Sequence, residues 1–484
     1  MADEFVDVLI VGAGLSGIGA ASHLRRLCPG RSVAILEARQ ALGGTWDLFR
    51  YPGVRSDSDM YTLGYSFRPW TGQKSIADGP AILQYLRDTA REQGIDRLVR
   101  FGHRVRRADW SSADAQWSVE AEREDGEAVV LRCGFLMMCS GYYDYAEGYT
   151  PDFAGRERFA GRVVHPQHWN DDIAYAGKRV VVIGSGATAV TLVPELAKQA
   201  AHVTMLQRSP TYMIARPSVD SFAGWLARRT GHAFANRVAR WKNLLFGMYV
   251  FRLCRRKPEA AKALMLKMVR QQLGPDYDVA THFTPRYNPW EQRLCLVPDG
   301  DLFKAIRDGR VSLVTDRIDS FTETGLKLAS GAELPADLVV TATGLRLRPI
   351  GRLELNVDGR RLEPAQLVNY KGIMFGDVPN FASVFGYTNA SWTLKADLAS
   401  VFVCRLLNHL QRTGARWCVP RIDDSAMSLE PWVDFSSGYF QRALDQLPKQ
   451  GAKKPWKLNQ NYLADFMTLR YGALDDGVLR FVRA

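Results

Sequence analysis

Runs of apolar residues that lead directly into closely spaced glycines occur at two places along the chain. The first run covers residues 6–11 and the second covers residues 180–183. Each is followed by a segment with helical spacing of apolar residues and then by another apolar run, at 32–36 or 202–207. A buried strand, a glycine turn, a helix and a second strand form the βαβ unit that binds dinucleotides. The pattern therefore predicts an α/β protein with two Rossmann-like dinucleotide-binding domains.

The remaining pattern predicts how these two domains are divided along the chain. Alternating segments predict a meander and a returning strand at 104–110, 117–121, 128–133 and 135–139. Helical spacing occurs at 80–93, in most of 214–275, and at 392–408, and an apolar run at 338–344 predicts the last strand of the second unit. We therefore predict a first domain from 1–145 and 345–484, a second from 146–213 and 293–344, and a helical, basic insertion in the second at 214–292.

The first glycine motif has the residue types that hold a pyrophosphate. Gly12 permits a tight turn, Gly14 lets the backbone approach the ligand, and Gly17 lets the helix pack close to the strand. The helix N-terminus then presents free N–H groups and its dipole to the phosphates. Glu37 closes the second strand, where a carboxylate accepts hydrogen bonds from ribose hydroxyls and repels a 2′-phosphate. The motif therefore predicts FAD here, against the alternative of a chance glycine turn.

The second glycine motif repeats the first with alanine at its third position and a basic residue at its end. Its predicted cofactor contacts are Gly184, Ser185, Gly186, Ala187, Thr188, Ala189 and Val190. Arg208 and Ser209 follow the second strand at the position where the first unit has an acid. Because a guanidinium can bind a 2′-phosphate through two hydrogen bonds, this site predicts NADPH. The alternative is that Arg208 is an ordinary surface arginine.

The composition is that of an ordinary soluble protein, with 46% hydrophobic and 24% charged residues. The first apolar run is short and leads into a glycine turn, so we expect a strand there and no signal peptide. No apolar run is long enough to span a bilayer. The seven cysteines are scattered and form no Cys-x-x-Cys motif. This pattern predicts a reduced, cytoplasmic protein without a metal site.

The net charge of +12 is concentrated in one segment. Residues 221–275 contain twelve Lys and Arg residues and one acidic residue, Glu259, and an apolar stretch at 244–251 has basic residues on both sides. One interpretation is a helix that lies on an anionic membrane surface. The other, which we prefer, is an ordinary helix with one buried face and one solvated basic face. Nothing here is similar to a base-reading module, so nucleic acid is not an expected partner.

Two longer strings resemble the fingerprints of one enzyme family. Residues 159–169 read Phe-x-Gly-x-x-x-His-x-x-x-Trp, and residues 44–57 form a second string that ends in an aspartate. Both resemble type I Baeyer–Villiger flavin monooxygenases, and mycobacterial members are especially similar at 44–69, 288–298 and 386–395. The resemblance runs from about residue 5 to about residue 482 and is weakest in the basic segment. Asn170 and Gln292 depart from the family pattern, which often has a lysine at the position of Gln292.

The resemblance implies roles for individual residues. Arg293 would be the fixed cation beside the reacting oxygen atoms, and Asp57 would orient it. Contacts with FAD are implied for Ser16, Thr45, Trp46, Asp47, Leu48 and Val105, and contacts on the nicotinamide side for Arg55, Ser56 and Asp57. The alternatives are that Arg293 is a structural ion-pair partner and that Asp57 caps a turn. His165 receives no catalytic role.

The implied reaction consumes NADPH and O2 on bound FAD. The reduced flavin would form a C4a-peroxyflavin that inserts oxygen into a ketone to give an ester, and sulfides or thioamides are a second expected substrate class. One alternative is a flavin monooxygenase that oxidises nitrogen or sulfur atoms and lacks ketone activity. Another is a nucleotide-binding, membrane-associated scaffold without turnover. A disulfide reductase is disfavoured because the chain has no Cys-x-x-Cys motif.

Overall fold

The first glycine motif follows an inner strand of a large mixed sheet. The computed structural model describes residues 4–423, 426–433 and 435–483. Parallel strands lie in the order Phe381–Ser383, Ala128–Met138, Glu4–Val11, Val33–Leu36 and Val99–Arg100. The same sheet continues from Ala128–Met138 through Gln116–Arg123, His103–Ser111, Glu354–Val357 and Arg360–Leu362. Val8, Leu9 and Ile10 are completely buried, as expected for a strand covered on both faces.

The meander of this sheet differs from the sequence prediction at one point. The sequence predicts separate segments at 128–133 and 135–139, but the structure forms one strand, Ala128–Met138. Its first half pairs antiparallel with Gln116–Arg123, and its second half pairs parallel with Phe381–Ser383. Gly134 lies inside this strand, and a Cβ added there would come 3.3 Å from the Asp7 carbonyl oxygen. The prediction was wrong because Gly134 marks a close approach of the neighbouring strand and not a chain break.

Long helices pack against the first sheet and against each other. They are Leu15–Leu27, Gly79–Glu92 and Trp392–Thr413. Gly79–Glu92 begins where the Asp78 side chain accepts a hydrogen bond from the Ala81 backbone N–H. Trp392–Thr413 ends at Gly414, whose φ of 70° lies in the left-handed region that favours glycine. Ile18, Leu86 and Phe402 are buried with the strand side chains in one hydrophobic core.

The second glycine motif lies in a separate, entirely parallel sheet. Its strands have the order Val311–Thr315, His202–Gln207, Arg179–Ile183, Leu338–Thr341 and Arg162–Val164. Helices Ala187–Leu196 and Asp301–Arg307 pack into its core, and a small antiparallel sheet follows, made of Ile318–Thr322, Gly325–Leu328 and Glu333–Pro335. The predicted fold class, with two Rossmann-like units and a helical insertion in the second, is confirmed.

The insertion consists of helices that begin and end between two paired strands. Met213–Arg216 pairs in parallel with Cys295–Pro298. Between them lie helices Ser221–Thr230, His232–Arg256, Pro258–Leu273 and Val279–Phe283. Arg240 anchors this insertion to the first unit, because its guanidinium donates to the carbonyl oxygens of Tyr61 and Gly64 at 3.0 and 2.7 Å. Within the described ranges, no helix is long and apolar enough to cross a membrane.

Short strand pairs connect the two units and complete the C-terminal part. Tyr143–Gly148 and Leu345–Leu347 are antiparallel and carry the chain from one unit to the other and back. The remaining strands are Pro349–Arg352, Asn369–Tyr370 with Met374–Phe375, Trp417–Pro420 with Leu479–Val482, and Leu429–Pro431 with Lys449–Gly451. Shorter helices are Thr45–Leu48, Met60–Leu63, Gly438–Gln441 and Tyr462–Arg470. Single 3-10 turns lie at Asp96–Leu98, Arg156–Arg158, Pro166–His168, Pro364–Gln366 and Leu444–Gln446.

Candidate active site

One cavity of about 900 Å³ is lined by residues of both glycine motifs. The sequence-predicted site residues in its wall are Gly14, Ser16, Thr45, Trp46, Arg55, Ser56, Asp57, Gly184, Ser185, Gly186, Ala187, Thr188, Arg208, Ser209 and Arg293. The tertiary structure therefore brings together segments that are far apart in sequence. A continuous space between two dinucleotide-type loops allows the reactive ends of two bound dinucleotides to meet.

The first glycine motif has the geometry that a pyrophosphate needs. Gly12 has a φ of 105°, and a Cβ added to Gly17 would overlap the Gly12 carbonyl oxygen, so neither position accepts a larger residue without distortion. Both lie behind the cavity wall and shape the turn. Gly14 is the N-cap of helix Leu15–Leu27 and no side chain caps it. The first N–H groups of this helix are therefore available for phosphate oxygens in the cavity.

Glu37 lies behind the first glycine turn and is buried. One carboxylate oxygen accepts the Ala13 backbone N–H at 2.8 Å, and the other accepts the Arg39 backbone N–H at 2.9 Å. Burial raises the pKa of Glu37, although these two hydrogen bonds act in the opposite direction. The carboxylate therefore ties the glycine turn to the end of strand Val33–Leu36, and its predicted contact with ribose hydroxyls stays a prediction.

Some predicted flavin contacts lie outside the cavity wall. The side chain of Asp47 is 2% exposed and is surrounded by Arg39, Arg50 and Arg87, with the closest contact 2.7 Å from Arg39. This ion-pair cluster holds the loop that carries Thr45 and Trp46 into the cavity. Leu48, at the end of the short helix Thr45–Leu48, and Val105, at a register shift in His103–Ser111, also lie outside the wall. Contact of these three residues with a flavin stays a prediction.

The second glycine motif has open space where a phosphate would lie. A Cβ added to Gly184, whose φ is 131°, would come 2.3 Å from the Ala342 carbonyl oxygen. A Cβ added to Gly186 would meet no protein atom within 4 Å. Gly186 lines the cavity and caps helix Ala187–Leu196 without a side-chain hydrogen bond. The loop therefore fits a dinucleotide pyrophosphate, while Ala189 and Val190 are buried in the core beneath it.

The basic end of the second unit is exposed to the same cavity. Arg208 and Ser209 follow strand His202–Gln207, and both residues line the cavity wall. The Ser185 hydroxyl donates to the Ser209 carbonyl oxygen at 3.1 Å and contacts the Thr211 hydroxyl at 2.9 Å. These hydrogen bonds tie the glycine loop to the segment that carries Arg208.

Arg293 and Asp57 form an ion pair in the cavity wall. Arg293 Nη2 lies 2.6 Å from Asp57 Oδ2, and about a third of each side chain is accessible, at 35% and 34%. The charge of Asp57 raises the pKa of Arg293, which therefore stays protonated. Arg293 follows a turn in which Asn288 donates through its backbone and its side chain to the Glu291 carboxylate, both at 3.0 Å. The pair is thus a fixed cation with a fixed counter-ion, facing the space shared by both motifs.

Two predicted residues near Asp57 have partners of their own. Arg55 makes a bidentate contact with Asp301, the first residue of helix Asp301–Arg307, at 2.5 and 3.3 Å. The Ser56 hydroxyl donates to the Ser58 carbonyl oxygen at 2.7 Å and accepts the Ser58 backbone N–H at 2.9 Å. These contacts hold the loop of Asp57 between the two units.

The sequence interpretation missed a group of aromatic residues around Arg293. Tyr142 lines the wall beside Arg293, and its hydroxyl accepts a hydrogen bond from Tyr143 at 2.8 Å. Its ring stacks on Trp392 at 5.0 Å between centroids, and Trp392 Nε1 donates to the Ser16 hydroxyl at 2.8 Å. Tyr439 completes the group from the C-terminal part. The position of Tyr142 just after a buried parallel strand was the available signal, while nothing in the sequence marked Tyr439.

His165 lies at the strands that connect the two units and outside the cavity wall. Its Nδ1 accepts the Gln167 backbone N–H at 3.2 Å, so Nε2 carries the proton and donates to the Gly344 carbonyl oxygen at 3.1 Å. Burial lowers the pKa of His165. Among the described residues, no group of histidine, cysteine and carboxylate side chains is arranged to hold a metal ion.

The fold and the cavity together define a two-dinucleotide flavin monooxygenase. Residues 75–349 match the model of the flavin-binding monooxygenase-like family, and residues 10–74 match an NAD(P)-binding Rossmann-like domain. The FAD-containing monooxygenase EthA of Mycobacterium tuberculosis is 53% identical over 481 residues, which cover 99% of this chain and 98% of that relative. The chain therefore belongs to the flavin-binding monooxygenase-like family, and the predicted resemblance to flavin monooxygenases, especially mycobacterial ones, is confirmed.

Another relative agrees with this family, and two solved structures share the fold. The probable FAD-binding monooxygenase AlmA of Acinetobacter baylyi is 44% identical over 481 residues, covering 99% of this chain and 96% of that protein. An oxidised steroid monooxygenase bound to NADP has a TM-score of 0.80 at 24% identity and covers 99% of this chain and 100% of its own. An open form of cyclohexanone monooxygenase has a TM-score of 0.78 at 21% identity and covers 99% of both chains. These two structures support the fold.

Proposed function

We propose that this protein is an FAD- and NADPH-dependent monooxygenase that uses O2 to convert ketones into esters, with sulfides and thioamides as a second substrate class. The observation that carries the proposal is the Arg293–Asp57 ion pair, which faces the cavity shared by both glycine motifs. An ionised, oriented guanidinium is the group that a developing negative charge on a carbonyl oxygen requires. The similarity to FAD-containing monooxygenases supports FAD as one cofactor, and the structure of a steroid monooxygenase bound to NADP supports NADPH as the other.

The residues present fit the two cofactors. FAD would be held by Gly14 and the uncapped helix behind it, with Thr45 and Trp46 beside it. NADPH would be held by the Gly186 loop, with Arg208 at the end of the neighbouring strand. When bound, the flavin supplies the electrons that activate O2 for transfer of one oxygen atom to the substrate.

The role of Arg293 follows from its charge and its fixed position. Its guanidinium would bind the substrate carbonyl oxygen and stabilise the negative charge that develops there. Asp57 limits the rotation of the guanidinium and keeps its proton affinity high. Preorganisation matters because a donor that is already in place needs no rearrangement when the charge develops.

The aromatic group around Arg293 defines the substrate side of the cavity. Tyr142 and Trp392 line the cavity, and Phe385 packs against both rings, with ring centroids 5.0 to 5.5 Å apart. Such a wall binds apolar groups and excludes water, which strengthens the electrostatic interactions of Arg293. We therefore propose apolar, including aromatic, ketones as the substrate class.

The direct test is product analysis with phenylacetone as the probe. The flavin-loaded protein is incubated with NADPH and air, benzyl acetate is measured by gas chromatography, and NADPH oxidation is followed by absorbance. We expect ester formation that matches NADPH consumption. Conversion of thioanisole to its sulfoxide without any ester contradicts the ketone assignment and favours an enzyme that oxidises sulfur or nitrogen. No NADPH oxidation at all favours a binding scaffold.

Exposed aromatic side chains on helix His232–Arg256 favour the membrane interpretation of the basic segment over the ordinary solvated helix. We therefore also propose that residues 221–275 contact an anionic membrane surface from a cytoplasmic location. Phe246 and Tyr249 on helix His232–Arg256 are 52% and 63% exposed, and Arg252 and Arg256 lie on the same helix face at helical spacing. An exposed apolar stripe with flanking cations is the composition that anionic lipid surfaces attract.

Sedimentation with vesicles tests this contact. We expect binding to phosphatidylglycerol vesicles at low salt and no binding to phosphatidylcholine vesicles. The double variant Phe246→Ser with Tyr249→Ser is expected to bind less, while Tyr471→Ser, which removes a 61% exposed tyrosine outside the segment, leaves binding unchanged. Absence of wild-type binding contradicts the proposal.

A further inference from the structure

Three arginines line the cavity and have no carboxylate partner among the described residues: Arg208, Arg317 and Arg442. Most cavity-facing charges elsewhere are paired, as Arg293 is with Asp57 and Arg55 is with Asp301. Grouped guanidiniums repel each other, and an anion bound among them removes this repulsion. The cluster is therefore suited to a strongly anionic group of a ligand.

Arg208 and Arg317 are brought together by two neighbouring strands. His202–Gln207 and Val311–Thr315 are parallel, with Gln207 opposite Thr315. Each arginine follows the carboxyl end of its strand by one or two residues, and the Asp316 backbone N–H donates to the Gln207 carbonyl oxygen at 3.0 Å. The Asp316 carboxylate accepts the backbone N–H groups of Arg317 and Ser330, so it is held against the loop that contains them.

Arg442 reaches the same place from the C-terminal part of the chain. It follows helix Gly438–Gln441, and its guanidinium carbon lies 3.6 Å from the ring centroid of Tyr149. Gly344 makes room for it, since a Cβ added there would lie 3.3 Å from Arg442 Nη2. Burial lowers the pKa of Arg442, and the charge of Arg208 lowers it further. The guanidinium is thus stacked in place in the wall of the cavity that Arg208 also lines.

We propose that Arg442 is a specificity-determining residue that binds the adenosine 2′-phosphate of the nicotinamide cofactor together with Arg208. The inference rests on the proposed function, because it takes the second glycine motif as the NADPH site. In a Rossmann unit the adenosine ribose lies near the end of the second strand, which is here the position of Arg208. Gln292, which also lines the cavity, carries no charge, so the cations that remain beside Arg208 are Arg317 of the Rossmann unit and Arg442 from outside it.

The test is a binding measurement that needs no turnover. Adenosine 2′,5′-bisphosphate and adenosine 5′-monophosphate are titrated by calorimetry into the flavin-loaded wild type and Arg442→Ala. We expect Arg442→Ala to bind the bisphosphate about tenfold or more weakly, as for loss of one charge-assisted hydrogen bond. Binding of the monophosphate is expected to stay the same, because it lacks the 2′-phosphate. Arg442→Lys, which keeps the charge, is expected to recover part of the preference for the bisphosphate over the monophosphate.

Arg346→Ala is the matched control, because Arg346 is a nearby cation that pairs with Glu147 at 3.0 Å and lies outside the cavity wall. It is expected to leave both affinities unchanged. The proposal is overturned if Arg442→Ala loses affinity for both ligands equally, or loses affinity for neither. Flavin absorbance and the thermal midpoint of each variant show that it is folded. A wild type that does not prefer the bisphosphate contradicts the NADPH assignment itself, which separates failure of the proposed function from failure of this inference.

Discussion

At the scale of single residues, the site depends on how its charges are paired. Arg293 has one carboxylate partner and an open side toward the cavity, whereas the carboxylate of Asp47 is enclosed by arginines. An enclosed charge holds a loop in place, and a half-enclosed charge remains free to act on a ligand. The same two residue types therefore serve different roles according to their exposure.

Replacing Arg293 tests its role directly. We expect Arg293→Ala to lower the rate of ester formation by about 10² to 10³, as for loss of one preorganised donor to a developing oxyanion. NADPH oxidation is expected to continue and to release hydrogen peroxide. Both are measured by gas chromatography and a peroxide assay. Arg310→Ala, which removes an exposed ion pair with Asp308 at 2.9 Å, is the control and should leave both rates unchanged. Unchanged ester formation in Arg293→Ala would contradict the role.

At the scale of elements, the two glycines of the second glycine motif differ in both backbone angles and surroundings. Gly184 needs its positive φ and has the Ala342 carbonyl oxygen in its way, while Gly186 has ordinary backbone angles and open space. A larger residue at Gly184 is therefore expected to destabilise the fold, whereas a larger residue at Gly186 is expected to weaken ligand binding. This difference separates stability from binding within one loop.

The Gly186→Ala variant uses that difference. Its φ of −77° suits alanine, so we expect the urea midpoint of unfolding to stay unchanged. The added methyl group occupies the space of the pyrophosphate, and the KM for NADPH is expected to rise about tenfold or more. Flavin content should not change. Gly247→Ala, on the insertion helix with no atom within 4 Å of the added Cβ, is the control and should not affect the KM. An unchanged KM in Gly186→Ala would place the phosphates elsewhere.

The strands that connect the two units respond to pH through His165. Burial lowers the folded-state pKa of His165, so the unfolded chain takes up a proton first as the pH falls through about 6.5. The free energy of unfolding therefore decreases below that pH, and above it His165 makes no contribution. We expect His165→Gln to lose less stability than the wild type between about pH 7 and pH 5, measured by urea unfolding. His202→Gln replaces a histidine outside these strands and should behave as the wild type.

At the scale of the whole molecule, the insertion helix is tied to the first unit by a buried charge cluster. Arg240 Nη2 lies 3.3 Å from Asp397 Oδ2, and both side chains are largely buried. Asp397 also contacts His23 Nε2 and accepts the Ser66 backbone N–H, both at 3.1 Å. This cluster connects four segments of the chain and holds the insertion against the first unit.

Breaking this cluster is expected to be costly. Arg240→Met removes one partner of a buried pair, and we expect it to lower the free energy of unfolding by about 3 kcal/mol. Lys198→Met removes an exposed pair with Glu195 and should cost less than about 1 kcal/mol. Urea unfolding followed by tryptophan fluorescence measures both. Equal effects of the two changes would show that the insertion is not anchored through Arg240.

The sequence by itself determined the local features of this protein. Strand–glycine–helix motifs predict their own structure because a turn with positive φ and a close helix packing depend on residues within one short segment. The helix after the first glycine motif and the helices at 80–93 and 392–408 are predicted for the same reason, since apolar spacing acts along one element. Gly134 shows the limit, because whether a glycine ends a strand depends on the strand beside it.

Only the tertiary structure decided which distant residues meet. The pairing of Arg293 with Asp57, the placing of Tyr142 beside them and the meeting of Arg442 and Arg208 in one cavity wall all join segments from different elements. The enclosure of Asp47 by three arginines likewise depends on chain packing. Residue type and spacing carry no information about such distances, because these are set when separate sheets and helices bury their apolar faces against each other.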